Sequence, residues 1–176
     1  MNISSKNFFE IFSLEESFQI DLTLLNQAYT KLQAQYHPDK FINADDKTRL
    51  QALQTASIIN EAFETLKSPL KLASYLLTLH GTDPEENNQS HLGEDFLFAQ
   101  MELRDKLEEI AANKSLTALE QLKNEVDKDK KSYLVEFEQF YKLGQYAEAK
   151  PVYSKLQFLY KLLSEIDTLE EKLLDY

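Results

Sequence analysis

Apolar residues recur along most of this chain at steps of three and four, the spacing of one helix face. Residues 22–36 place Leu24, Leu25, Ala28, Tyr29, Leu32 and Tyr36 on such a stripe, and Asp21 before it is a natural N-cap. Pro38 disfavours the helical region in His37 and so ends that helix. A second helix is predicted to start at Asp45–Lys47, with Ala52, Ala56, Ile59, Phe63 and Leu66 as its seam. Ser68-Pro69 interrupts or restarts it, and Leu72, Ala73, Leu76 and Leu79 continue an apolar face. With a short helix around Phe8–Leu14, this makes an αα-hairpin joined by a tight polar loop.

Residues 80–95, HGTDPEENNQSHLGED, break the periodicity with turn-forming residues and read as a linker. Beyond them three helices are predicted. The first runs from Asp95 to about Ala112, with Phe96, Leu103, Leu107 and Ile110 toward the core. The second runs from Ser115 to about Leu143 on Leu119, Leu122, Val126, Tyr133, Phe137 and Phe140, stopped by Gly144. The third runs from Pro151, near N1, to about Leu174, on Val152, Leu156, Leu159, Leu163, Ile166 and Leu173. Three such stripes on short connections bury one another as a bundle. The expected fold is all-α in two modules.

Composition narrows the functions open to the chain. Among 176 residues there are three glycines, four prolines and no cysteine. No glycine-rich phosphate cradle, disulfide or thiolate metal site can be built from them. No apolar run approaches a membrane span, and the first residues resemble neither a signal nor a transit peptide, so a cytoplasmic location is expected. The net charge of −11 disfavours nucleic acid or an anionic membrane as partner. That charge is uneven: residues 1–80 carry nine acidic and seven basic side chains, residues 81–176 twenty-one and twelve.

Catalytic and metal chemistry find little support. His37, His80 and His91 are scattered without ligand spacing, and no serine sits in a nucleophile elbow. No carboxylate pair has neighbours that would tune it as an acid and base. The expectation is a chain that is not an enzyme and holds no metal or cofactor.

The chemistry that stands out lies in the hairpin loop, Tyr36-His37-Pro38-Asp39-Lys40-Phe41. Pro38 stiffens the backbone and lowers the entropy lost on docking. Asp39 offers a carboxylate to an arginine of a partner, and His37 a ring nitrogen and an aromatic edge. His-Pro-Asp between two amphipathic helices resembles the J-domain. That resemblance implies a loop that stimulates ATP hydrolysis by a heat-shock-70-class chaperone, with His37, Pro38, Asp39, Lys31 and Lys40 as chaperone-binding residues. The helix before the loop supplies only Lys31, where J-domains generally carry a basic face; Lys40, Lys47 and Arg49 lie beyond it.

Further stretches sharpen the resemblance: Ile59-Asn60-Glu61-Ala62-Phe63, Tyr75-Leu76-Leu77-Thr78-Leu79-His80-Gly81, Met101-Glu102-Leu103-Arg104, and Leu169-Glu170-Glu171-Lys172-Leu173-Leu174-Asp175-Tyr176. Together they resemble the HscB family, co-chaperones of iron–sulfur cluster assembly, over nearly the whole length, thinning across residues 82–94 and 112–150. Leu72 differs from the arginine the family often places beside Ala73. The resemblance implies a J-domain at 1–80, a linker at 81–94 and a client-binding three-helix bundle at 95–176. It also implies two partners, an HscA-type ATPase and the scaffold IscU, in a bacterial-type cytoplasm.

A helical wheel gives an independent reason to place a partner on the second module, the alternative being that Phe98 packs on the linker and the acids only solvate the helix. Phe98, Glu102, Asp105 and Glu109 cluster opposite the core stripe, with Leu97 and Met101 on the flanks. An outward face of large apolar side chains beside acids is unusual for a helix that meets only water. With Phe158, off its own stripe, these are the client-binding residues the resemblance implies. A J-protein for unfolded clients in general, a helical scaffold with an incidental His-Pro-Asp, and a helical metalloenzyme are the alternatives.

Overall fold

A computed structural model of the chain describes residues 3–85 and 92–174, apart from the side chains of Ser4 and Pro38. Among them it has seven α-helices, two short 3-10 turns (Ile3–Ser5 and Pro38–Phe41) and no strand. The helices are α1 (Phe8–Phe12), α2 (Leu22–Tyr36), α3 (Asp46–Lys67), α4 (Pro69–Leu79), α5 (Glu94–Asn113), α6 (Leu116–Lys142) and α7 (Tyr146–Leu174). They fall into two compact units, Met1–Tyr75 and Leu76–Tyr176, and the division runs inside α4. His91 and residues 86–90 of the expected linker lie outside the described residues.

The first unit is built from capped helices. Asn7 and Glu10 close a capping box on α1, each side chain accepting the other's backbone N–H at 2.8 Å. Asp21 caps α2 by accepting from Thr23 and Leu24 N–H. Asp45 caps α3 by accepting from Thr48 N–H at 2.6 Å, a bond that holds its carboxyl below the usual carboxylate range. Phe9, Phe12, Leu25, Ile59, Ala62, Phe63, Leu66, Leu72 and Ala73 are buried. The Tyr75 ring stacks on Phe8 at 4.3 Å while its hydroxyl accepts the Phe8 N–H.

Two expected core positions of the hairpin lie at the surface. Leu24 is half exposed, because α2 buries a narrow seam centred on Leu25, from which Leu24 is turned by about 100°. On α4 the seam runs through Leu72, Ala73, Leu76 and Leu77 in steps of four, which leaves Leu79 exposed.

In the second unit α6 and α7 form a long antiparallel hairpin, and α5 lies against it. Gly144, at φ 69°, ends α6 in a two-bond turn. Its N–H donates to Tyr141 C=O and the Gln145 N–H donates to Phe140 C=O. The reversal is so tight that α7 begins at Tyr146 rather than at the expected Pro151, which sits inside the helix. Pro151 is in the second turn, where its missing N–H removes one intrahelical bond.

One core cluster of this unit is Leu103, Leu119, Leu122, Val126, Leu159, Leu162 and Ile166, and Phe137, Val152 and Leu156 are buried as well. Leu162 takes the buried position expected for Leu163, which is half-buried with Leu107, Ile110, Tyr133 and Phe158 around the cluster. Ion pairs pin the helices at the rim. Lys123 of α6 reaches Asp167 and Glu170 of α7 at 2.8 and 2.7 Å, and both bonds hold its ammonium more tightly protonated than usual. The His80 ring, just past α4, stacks on Tyr146 at 4.1 Å.

Candidate functional site: a polar knuckle and an exposed helix face

The backbone at His37 (φ −59°, ψ 129°) leaves the helical region, as a residue before proline should. Pro38–Phe41 then make a single 3-10 turn closed by the Lys40 N–H donating to His37 C=O at 3.0 Å. The His37 side chain caps this turn: Nδ1 accepts the Asp39 N–H at 3.3 Å. That arrangement belongs to the neutral ring with its proton on Nε2. The same Nδ1 also lies 3.5 Å from Asp39 Oδ2.

The His37 and Asp39 side chains are 54% and 79% exposed. The knuckle thus points outward, with Lys40 exposed in the same turn. Lys31 is exposed on α2, six residues and about 9 Å of helix rise before His37. Arg49 is tied to Asp46 at 2.7 Å, so part of the positive charge beyond the loop is already engaged.

Periodicity gave no sign of what spans the hairpin just below the knuckle. The Tyr29 ring stacks on Phe63 at 3.9 Å. Its hydroxyl donates to Asn60 Oδ1 at 3.1 Å, and Gln33 Nε2 donates to the same oxygen at 3.2 Å. A cleft of about 140 Å³ lies beside this bridge, lined by Gln33, Tyr36, His37, Ala56, Ile59 and Asn60. The readable signal would have been polar Gln33, one turn before His37, opposite polar Asn60.

On α5 the outward residues form the expected face. Phe98 and Met101 are 64% and 62% exposed and Leu97 is 38% exposed. Glu102, Asp105 and Glu109 are exposed beside them. Two cations fix the helix from its flanks: Arg104 pairs with Glu165 of α7 at 3.5 Å, and Lys106 with Glu125 of α6 at 3.1 Å. Phe158 is only half-buried, but it is no free anchor. It meets Phe96 edge-on at 5.9 Å and lies under the Arg104 guanidinium at 5.7 Å. Arg104 and Leu97 are seven residues apart and share a flank of α5, so Phe158 borders the face at its Leu97 edge.

Phe96 departs from its expected core role. Its ring is half-buried between Phe158, Tyr133 and the Lys155 ammonium, 5.5 Å from its centroid. Leu103 is the one α5 side chain in the buried cluster, because α5 packs as an outer helix on the α6–α7 pair.

Comparison with known proteins decides the family. The chain is 40% identical over 169 residues to a co-chaperone protein HscB homolog of Vibrio campbellii, covering 96% of this chain and 99% of the relative. The chain belongs to the HscB co-chaperone family. Residues 93–167 match the family model described as the HSCB C-terminal oligomerisation domain. The fold agrees with chaperone HscB from Vibrio cholerae (TM-score 0.86, 36% identity, 96% of this chain and 99% of that one). It agrees equally with human co-chaperone protein HscB (TM-score 0.88, 25% identity, 93% and 82%). HscB proteins are co-chaperones rather than enzymes. Among the described residues no helix is long and apolar enough to cross a membrane, and no three His, Cys, Asp or Glu side chains are grouped to hold a metal ion.

Proposed function

We propose that this HscB-family chain is a two-ended adaptor of iron–sulfur cluster assembly. One end stimulates ATP hydrolysis by an HscA-type chaperone, and the other holds the scaffold IscU for delivery to it. The divisions we assign are a J-domain at 1–80, a linker at 81–94 and a client-binding bundle at 95–176, working in a bacterial-type cytoplasm. The observation that carries the reading is the outward, capped knuckle: a stiff turn presents the Asp39 carboxylate to solvent with the His37 ring beside it.

At the chaperone end, Asp39 accepts a charge-assisted bond from a cationic side chain of the ATPase. His37 and Pro38 shape the contact, and Lys31 and Lys40 meet acidic surface. With one cation on α2, long-range steering is weak and recognition concentrates at the tip. Cleavage of ATP remains the chaperone's chemistry.

At the client end, Leu97, Phe98 and Met101 supply apolar contact and Phe158 extends it. Glu102, Asp105 and Glu109 orient a client surface carrying cations. Carrying both ends on one chain raises the local concentration of client at the chaperone.

Single-turnover hydrolysis by the chaperone, with Asp39→Ala against wild type, tests the first end; unchanged stimulation removes the mechanism. Capture of IscU by Phe98→Ala tests the second. Undiminished capture, together with binding to unrelated unfolded peptides, would favour a general J-protein instead.

A further inference from the structure

We propose that Tyr29, Gln33 and Asn60 are positioning residues for the knuckle, setting how His37 is presented to the chaperone; this rests on the reading that the knuckle drives hydrolysis. Gln33 lies four residues before His37, on the neighbouring part of the same α2 face. Asn60 faces it from α3. One oxygen, Asn60 Oδ1, accepts from both the Tyr29 hydroxyl and Gln33 Nε2, and Gln33 Nε2 also reaches the Tyr29 hydroxyl. The triangle therefore closes across the two helices, anchored by the Tyr29–Phe63 stack.

The cleft shows why this polar link matters. Gln33, Asn60 and His37 line the same open space, so apolar packing does not fill the hairpin mouth there. The hydrogen bonds span it instead. Gln33 and Asn60 are exposed, and exposed hydrogen bonds add little to global stability. Their effect is local: they hold the end of α2, and with it His37, at a fixed spacing from α3. A tip held this way loses less freedom on docking.

The chemistry supplies a sharp test, because Asn60 acts in the triangle only as an acceptor. Asn60→Leu removes that oxygen, while Asn60→Asp keeps it. Chaperone hydrolysis is titrated with each full-length variant at about 0.3 M salt, where the added charge is screened. For Asn60→Leu the half-saturating concentration rises about three- to tenfold, the worth of one or two such bonds, with the maximum stimulation unchanged. Asn60→Asp stays within about twofold of wild type, and melting temperature and IscU capture stay at the wild-type level for both.

An unshifted half-saturation for Asn60→Leu overturns the proposal, as does an Asn60→Asp shift as large as that of Asn60→Leu. A fall in maximum stimulation that tracks a fall in melting temperature also overturns it, by marking a structural role. Asp39→Ala is run alongside. If it stimulates like wild type, the knuckle reading itself fails; if it is silent while Asn60→Leu is normal, only the positioning role fails.

Discussion

The knuckle of the first unit and the outer face of α5 present partners with opposite kinds of surface. The knuckle is polar, a single turn long, and capped by its own histidine. The α5 face spans three helical turns, with large apolar side chains exposed beside acids and its two flanking cations spent on α6 and α7. A stiff polar tip suits a directional contact that triggers a change in its partner. An apolar face with acidic neighbours suits holding: burial supplies affinity and charge supplies orientation. The difference teaches that an all-helical chain can present two unlike surfaces by how it ends a helix in one place and what it leaves uncovered in another. The proposed function assigns triggering to the first and holding to the second.

The largest effect that can break this comparison is loss of the trigger alone. Asp39→Ala is expected to lower chaperone stimulation by at least about tenfold, the scale of a lost charge-assisted bond, in a single-turnover assay. IscU capture by the same variant should be unchanged.

Next comes loss of the holding surface. Phe98→Ala combined with Met101→Ala should weaken IscU binding by about 10- to 100-fold in calorimetry, from lost apolar burial, while stimulation without client is preserved. Phe158→Ala sharpens the picture, because that ring packs on the core as well as bordering the face. It should lower the melting temperature by several degrees and also weaken capture, a double effect that Phe98→Ala lacks.

Much of the geometry of the two surfaces was legible in the sequence, for reasons that differ between the two ends. The knuckle is contiguous, and Pro38 dictates the backbone of His37 whatever surrounds it. The α5 face was legible because helical spacing sorts Phe98, Glu102, Asp105 and Glu109 away from Leu103 without knowledge of neighbours. What periodicity could not supply is depth. Leu24, Leu79 and Phe96 fit apolar stripes, yet burial depends on how wide a seam the packing partner covers. The start of α7 was misplaced because Pro151 resembles a helix beginning, whereas the turn at Gly144 had already set the entry at Tyr146. The Tyr29–Gln33–Asn60 bridge joins residues about 30 positions apart and has no local pattern.

A smaller effect separates charge from burial on α5. Glu102→Lys with Asp105→Lys should slow IscU association about three- to fivefold at low salt, and the difference should fade near 0.5 M. In stopped-flow binding the Phe98→Ala change should instead appear mainly in dissociation.

The smallest effect concerns acid. Asp127 bonds Lys130 and Lys131 along α6, which holds its carboxyl down at about 2, against 3.8 for the free group. Its folded value is lowered, so its stabilising contribution is complete above the unfolded value and is lost as pH falls from about 4 toward 2. Asp127→Asn should flatten that part of the acid unfolding curve, followed by circular dichroism, and change little near neutrality.

The most direct test of the two-ended adaptor is complementation between defective copies. Client-dependent hydrolysis by the chaperone is measured with limiting wild-type chain, and then with an equimolar mixture of Asp39→Ala and Phe98→Ala chains. If triggering and holding must reside in one molecule, the mixture falls well below wild type although each member keeps one intact end. A mixture that matches wild type would contradict the account.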